Sequence, residues 1–226
     1  LCRMAAIEPK RFLPVPAQRS FSPDSFVKGT DMQKRTFCKT LGALIFGGSA
    51  MAQSVAADNK NTAAKMRVAV VYFSRSGNTA SVAKAVQAMT GADIFEVKTV
   101  KPYPEAYKPT TEVVKEELEK NIIREVQPID IDLSKYDVVV LATPTWWHHT
   151  AMPLQTWARA QNFSGKLVIT CNSHGGGGLM HTREDFEKIL KPTGARLGTH
   201  LTVEGSVRTN SKEVRNWLVE NGVLAK

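Results

Sequence analysis

The sequence predicts an α/β domain in which a parallel, doubly wound sheet of five strands lies between two layers of helices. Three observations carry this expectation. A run of apolar and aromatic residues from Val68 to Phe73, too short for an ordinary helix, reads as a strand buried on both faces. After the polar segment Ser74-Arg75-Ser76-Gly77-Asn78-Thr79, apolar residues return at Val82, Val86 and Met89, the spacing of one helical face. The same alternation of short apolar run and amphipathic segment then continues to the end of the chain, which implies right-handed crossovers and a sheet covered on both sides.

The elements follow in order. Asp93 to Lys98 mixes apolar and polar residues, as an edge strand does. Pro102-Tyr103-Pro104 breaks the pattern, and a charged helix is predicted from about Thr111 with Val114, Leu118 and Ile122 on one face and its ionic side chains in solvent. Val138 to Leu141 is the third strand, followed by a loop from Thr143 to Thr150 and a helix carrying Leu154, Trp157 and Ala158. Lys166 to Thr170 is the fourth strand and Asn172 to Gly178 the loop after it; a helix with Phe186, Ile189 and Leu190 comes next. A strand near Leu201 to Val203 and a helix with Val214, Trp217 and Leu218 complete the domain, the last helix carrying a capping signature in Asn210 and Glu213.

The first loop points to an anion. The leading N–H groups of a helix lack backbone partners and sit at the positive end of its dipole. Hydroxyls at Ser74, Ser76 and Thr79, a Gly77 that admits close backbone approach and an Asn78 to hold the turn make a nest for a phosphate. The spacing excludes a Walker loop and a dinucleotide fingerprint, since neither Gly-x-x-x-x-Gly-Lys nor Gly-x-Gly-x-x-Gly is present there, and a phosphate monoester fits better. In a doubly wound sheet ligands bind beyond the carboxyl ends of the strands, where the three loops Ser74–Thr79, Thr143–Thr150 and Asn172–Gly178 are expected to meet. Trp146 and Trp147 offer a stacking wall, and Asn172 to Gly177 offer backbone groups to a ring edge.

A buried strand ending in Ser-x-Ser-Gly-Asn-Thr resembles the FMN phosphate loop of flavodoxins, and Lys101 to Tyr107 resembles a loop of the short flavodoxin-like type. The resemblance spans residues 66 to 222. It implies a flavodoxin-like sheet of strand order 2-1-3-4-5 and FMN as cofactor. It also implies a site built from Ser74, Arg75, Ser76, Gly77, Asn78 and Thr79 at the phosphate. Pro144, Thr145, Trp146, Trp147, Asn172, Ser173, His174, Gly175, Gly176 and Gly177 are implied around the ring. Many flavodoxins are acidic around the flavin, whereas both ring loops here lack Asp and Glu.

Residues 66–226 are thus expected to be the folded domain. The net charge of +9 is uneven: residues 1–57 hold eight Lys or Arg against three Asp or Glu, leaving 22 against 18 for the rest, which argues against nucleic acid as a partner. Residues 1–31, with Pro9, Pro14, Pro16 and Pro23, read as a disordered leader or as upstream of a true start at Met32. Residues 32–57 read as an export signal: Lys34, Arg35 and Lys39, an apolar stretch from Leu41 to Gly48, and Ala50-Met51-Ala52 or Val55-Ala56-Ala57 for cleavage. Lys34-Arg35-Thr36-Phe37-Cys38-Lys39 resembles a twin-arginine pattern with Lys in the first position, and a general secretory signal is the alternative. The apolar run is too short for a permanent anchor.

Cys171 alone remains after such a leader, so no internal disulfide is expected, and it reads as a packing residue. His148, His149, His174 and His181 lack a zinc pattern, and no metal is expected; a histidine beside reduced flavin could instead hold a proton. The functions that follow are an exported FMN electron-transfer protein working with a redox partner protein or a quinone-like acceptor, or an FMN-dependent NAD(P)H:quinone oxidoreductase. A flavin-free module for another phosphate ester is the rival of a different class.

Overall fold

The computed structural model describes residues 66–226; the expected leader and export signal lie outside them. Six strands and five helices follow one another. β1 (Val68–Tyr72), α1 (Asn78–Thr90), β2 (Asp93–Glu96), α2 (Tyr107–Glu119) and β3 (Val138–Trp146) form the first part. β4 (His149–Thr150), α3 (Met152–Arg159), β5 (Leu167–His174), α4 (Thr182–Leu190), β6 (Arg196–Glu204) and α5 (Lys212–Glu220) form the second. The sheet runs β2-β1-β3-β5-β6 with every neighbour parallel, which is the expected order once the two-residue β4, paired antiparallel to the end of β3, is set aside.

The unbroken apolar run of β1 is explained by its two faces. Val68, Val70 and Tyr72 point into one core with Val82 and Val86 of α1 and Val214, Trp217 and Leu218 of α5. Val71 and Phe73 point into the other with Leu154 and Trp157 of α3 and Phe186 and Ile189 of α4. β3 divides in the same way, Val138, Val140 and Ala142 against Val139 and Leu141. A strand with helices on both sides needs no polar alternate, because each side chain that leaves one core enters the other. Complete burial of each Val, Leu or Phe among them contributes about 1.5–3 kcal/mol. Cys171 lies in the first core, and burial pushes its thiol up to about 12, so it is inert packing.

Several boundaries differ from expectation. α2 starts at Tyr107 rather than Thr111, because Pro109 falls in its first turn, where a missing N–H costs nothing. Its charged face is not wholly solvated. Glu117 is buried, accepts a hydrogen bond from the Tyr103 hydroxyl at 2.6 Å and sits 3.0 Å from the Arg124 guanidinium, which lies over the Tyr103 ring. Ile122 lies beyond the helix and is exposed. The cap of α5 is Ser211, whose hydroxyl accepts from the Val214 N–H, not Asn210. β3 and β5 run on into segments expected to be loops, and β6 begins five residues early. Among the described residues no helix is long and apolar enough to cross a membrane.

Candidate functional site

At the carboxyl ends of β1, β3 and β5 the chain encloses a cleft of about 610 Å³, within the range of small-molecule sites. Its first wall is the turn into α1. Gly77 takes the left-handed conformation at φ 89°, with open space where a Cβ would stand, and the Ser74 hydroxyl accepts its N–H at 3.2 Å. α1 has no side-chain cap and no acidic residue in its first turn, so its leading N–H groups are left for a ligand. The Arg75 guanidinium donates to the Glu105 carbonyl at 3.0 Å and ties this turn to the segment before α2.

The second wall is the hairpin of β3 and β4. Thr145 pairs with Thr150 and Trp146 with His149, so the expected loop is a strand up to Trp146 and a two-residue turn at Trp147 and His148. Both turn residues have positive φ, 44° and 71°. A two-residue hairpin with that pair of signs is the type that glycine and asparagine favour, because it follows the strand twist. Trp146 lines the cleft but stands edge-on to Phe73 and Tyr103, at ring distances of 5.3 and 4.9 Å, as part of an aromatic cluster. Trp147 is 46% exposed, donates its indole N–H to the Thr111 carbonyl at 2.8 Å and carries the Lys115 ammonium over its ring. It spans from the hairpin to α2.

The third wall is the end of β5 with the glycine segment. Ser173 is buried and His174 lines the cleft, the imidazole Nδ1 accepting from the Gly176 N–H at 3.1 Å. The fourth wall is α2, through Tyr107, Thr110, Thr111 and Val114. No carboxylate lines the cleft; Arg75, His148 and His174 do.

Residues 67–221 match a family model described as flavodoxin. The chain belongs to the flavodoxin family. Solved structures agree on the fold. A candidate flavoprotein from Bacteroides eggerthii DSM 20697 superposes with a TM-score of 0.58 at 20% identity, over 70% of this chain and 99% of that one. A second, from Bacteroides uniformis ATCC 8492, gives 0.57 at 21% over 68% and 98%. A flavoprotein from Lactobacillus acidophilus NCFM, in complex with FMN, gives 0.54 at 19% over 67% and 98%. No curated relative matches the chain.

Within this flavodoxin-family fold the structure brings together Arg75, Ser76, Asn78, Thr79, Pro144, Thr145, Trp146, Trp147, Ser173, His174, Gly175 and Gly177 around the cleft. Four residues expected in the site do not line it. Ser74 and Gly77 close the turn on each other, and Gly176 gives its N–H to His174 Nδ1. Asn172 is fully buried beneath the site, and its amide is committed on both sides to protein groups. The wall from α2 is absent from the sequence expectation, which starts that helix only at about Thr111; Tyr107 and Thr110 in its true first turn are the signal for it. His149 is held from behind, its Nδ1 3.0 Å from Asp185, and its ring stacks on His181. Among the described residues there is no group of three or more His, Cys, Asp or Glu that could hold a metal ion.

Proposed function

We propose that this chain binds FMN in the cleft and serves as an exported electron-transfer flavoprotein. The observation that carries the reading is the uncapped start of α1, opening into the same cleft as the tryptophan hairpin and the glycine segment. The donor set suits the cofactor. The Ser76 hydroxyl, the Asn78 amide and the free N–H groups of α1 offer neutral donors to a phosphate, and Arg75 adds a positive charge at the rim. Trp147 and the backbone of Gly175 and Gly177 offer an apolar face and a close edge to a flat ring. FMN, when bound, supplies one- and two-electron redox chemistry, while the protein binds it, orients it and excludes water. The structural relative from Lactobacillus acidophilus that is in complex with FMN lends support at the level of the fold.

Titration of the purified chain with FMN, followed by flavin fluorescence, tests this. One equivalent should be taken up, and Ser76→Asp should abolish FMN binding while sparing riboflavin, because a carboxylate repels the phosphate only. A chain that binds neither flavin sinks the reading and favours a module for another phosphate ester. Tyr107 of the α2 wall, 74% exposed at the edge of the cleft, favours a second reading in which a quinone-like acceptor enters beside the flavin. Turnover of NAD(P)H with a quinone and no partner protein would establish that oxidoreductase activity; dependence on a partner would establish the carrier. Export rests on the composition of residues 32–57, and fractionation of cells expressing the full chain decides it.

A further inference from the structure

Behind the ring side of the cleft runs a chain of hydrogen bonds that begins in β6. The His200 imidazole lies with Nδ1 2.7 Å from the Thr170 hydroxyl and Nε2 2.8 Å from the Asn172 Oδ1. The Asn172 Oδ1 also accepts from the Thr202 hydroxyl at 2.9 Å. On its other side Asn172 donates through Nδ2 to the Thr145 hydroxyl at 2.6 Å and to the Gly178 carbonyl at 3.1 Å. Every donor and acceptor of the amide is therefore used.

One group fixes the direction of the whole chain. The hydroxyls of Thr145, Thr170 and Thr202 can each donate or accept, but the Gly178 carbonyl can only accept. Nδ2 of Asn172 must face it, Oδ1 must then face His200, and His200 must carry its hydrogen on Nε2 while Nδ1 accepts from Thr170. The two ends served by Nδ2 are both parts of the cleft: Thr145 lines it in β3, and Gly178 closes the glycine segment whose Gly175 and Gly177 line it. Apart from the contact of Thr145 with the same carbonyl at 3.5 Å, Asn172 is the only side chain among the described residues that bonds Gly178.

We propose that His200 is a positioning residue for the ring side of the cleft, acting through the Asn172 amide to hold Thr145 and the Gly178 carbonyl together. The proposal rests on the flavin reading for its ligand, but not for its geometry. His200 does not itself line the cleft. It sets the separation of two walls from one residue below them, because a buried amide with all four bonds made has one orientation.

His200→Leu keeps an apolar body and removes the donor, and His200→Gln restores a donor near Nε2. Flavin fluorescence titrations should show His200→Leu weakening FMN and riboflavin by the same factor, about five- to twentyfold, the scale of one buried hydrogen bond. His200→Gln should stay within about twofold of the parent. Hydrogen exchange of the ligand-free proteins should quicken at residues 175–180 in His200→Leu and stay unchanged at residues 74–81. A purely structural role predicts the reverse: a uniform rise in exchange and intact flavin affinity, and either result overturns the proposal. Should His200→Leu not fold, His200→Asn, too short to reach Asn172, takes its place. If the parent itself takes up no flavin, the cofactor reading falls, and the exchange pattern alone decides whether His200 positions the glycine segment.

Discussion

The hydroxyls of Thr79 and Ser173 lie 2.8 Å apart, both buried, and join the first turn of α1 to the carboxyl end of β5 across 94 residues of sequence. The two walls that would hold a phosphate and a ring are therefore linked beneath the cleft by one polar bridge. Removing one hydroxyl strands the other in a dry site, a cost of about 1–3 kcal/mol, whereas removing both can be nearly neutral. Urea denaturation of Thr79→Val, Ser173→Ala and the double variant should show each single change destabilising, with the double variant more stable than the sum of the two. Strict additivity would show that the hydroxyls do not bond.

The turn at Trp147 and His148 stores backbone strain at the cleft mouth. A left-handed conformation costs a non-glycine residue about 1–2 kcal/mol, and here two adjacent large residues adopt it. The double change Trp147→Asn with His148→Gly supplies the residue types this turn prefers. The melting temperature should rise or hold, and flavin affinity should fall with the loss of the indole between the hairpin and Thr111. Retention of full flavin affinity would show that the strained turn does not serve the ligand.

Much of this fold is legible in the sequence for a physical reason. The Val68–Phe73 run is unbroken because its residues alternate between two cores, and the same holds for Val138–Leu141. Where function intrudes the reading weakens. The ends of β3 and β5 contain Pro144, Thr145, Asn172 and Ser173, which look like loop residues but belong to strands. The start of β6 is hidden by Gly198, which reads as a breaker. In the fold it is a close approach, since a Cβ there would collide with the Asn221 Oδ1 and Ile169. Asn172, expected in the site through its backbone, instead has its side-chain amide drawn inward by His200 and Thr202, partners on a strand whose register no local pattern reveals.

His200 also sets a pH dependence. Burial first, and the nearby Arg183 charge second, bring its pKa down from 6.5 to about 4. A histidine depressed in the folded state binds its proton later than the unfolded chain does. Its contribution to stability is therefore complete above pH 6.5, declines as pH falls below that value and is exhausted near pH 4. The shift corresponds to a loss of about 3 kcal/mol. Urea midpoints between pH 7.5 and 4.5 should fall more steeply for the parent than for His200→Gln, and parallel curves would show that His200 is not held neutral by the fold.

The charge of the cleft bears on what a flavin there could do. Arg75, His148 and His174 line it without a carboxylate. Fully reduced flavin tends to carry a negative charge, and acidic surroundings oppose it by like-charge repulsion, so a lining without carboxylates leaves that form comparatively favoured. The midpoint for full reduction should be less negative than in a flavodoxin with an acidic flavin site. Introducing the missing charge tests the cause: His148→Glu places a carboxylate at the exposed mouth, where across a wet gap one unit charge is worth roughly 0.5–1 kcal/mol. For one electron that is a drop of roughly 20–45 mV, which should shrink as salt is added. A redox titration in which His148→Glu leaves the potential unmoved at low salt would show that the mouth of the cleft does not sense the flavin's charge, and a strongly negative potential in the parent would remove the electrostatic account altogether.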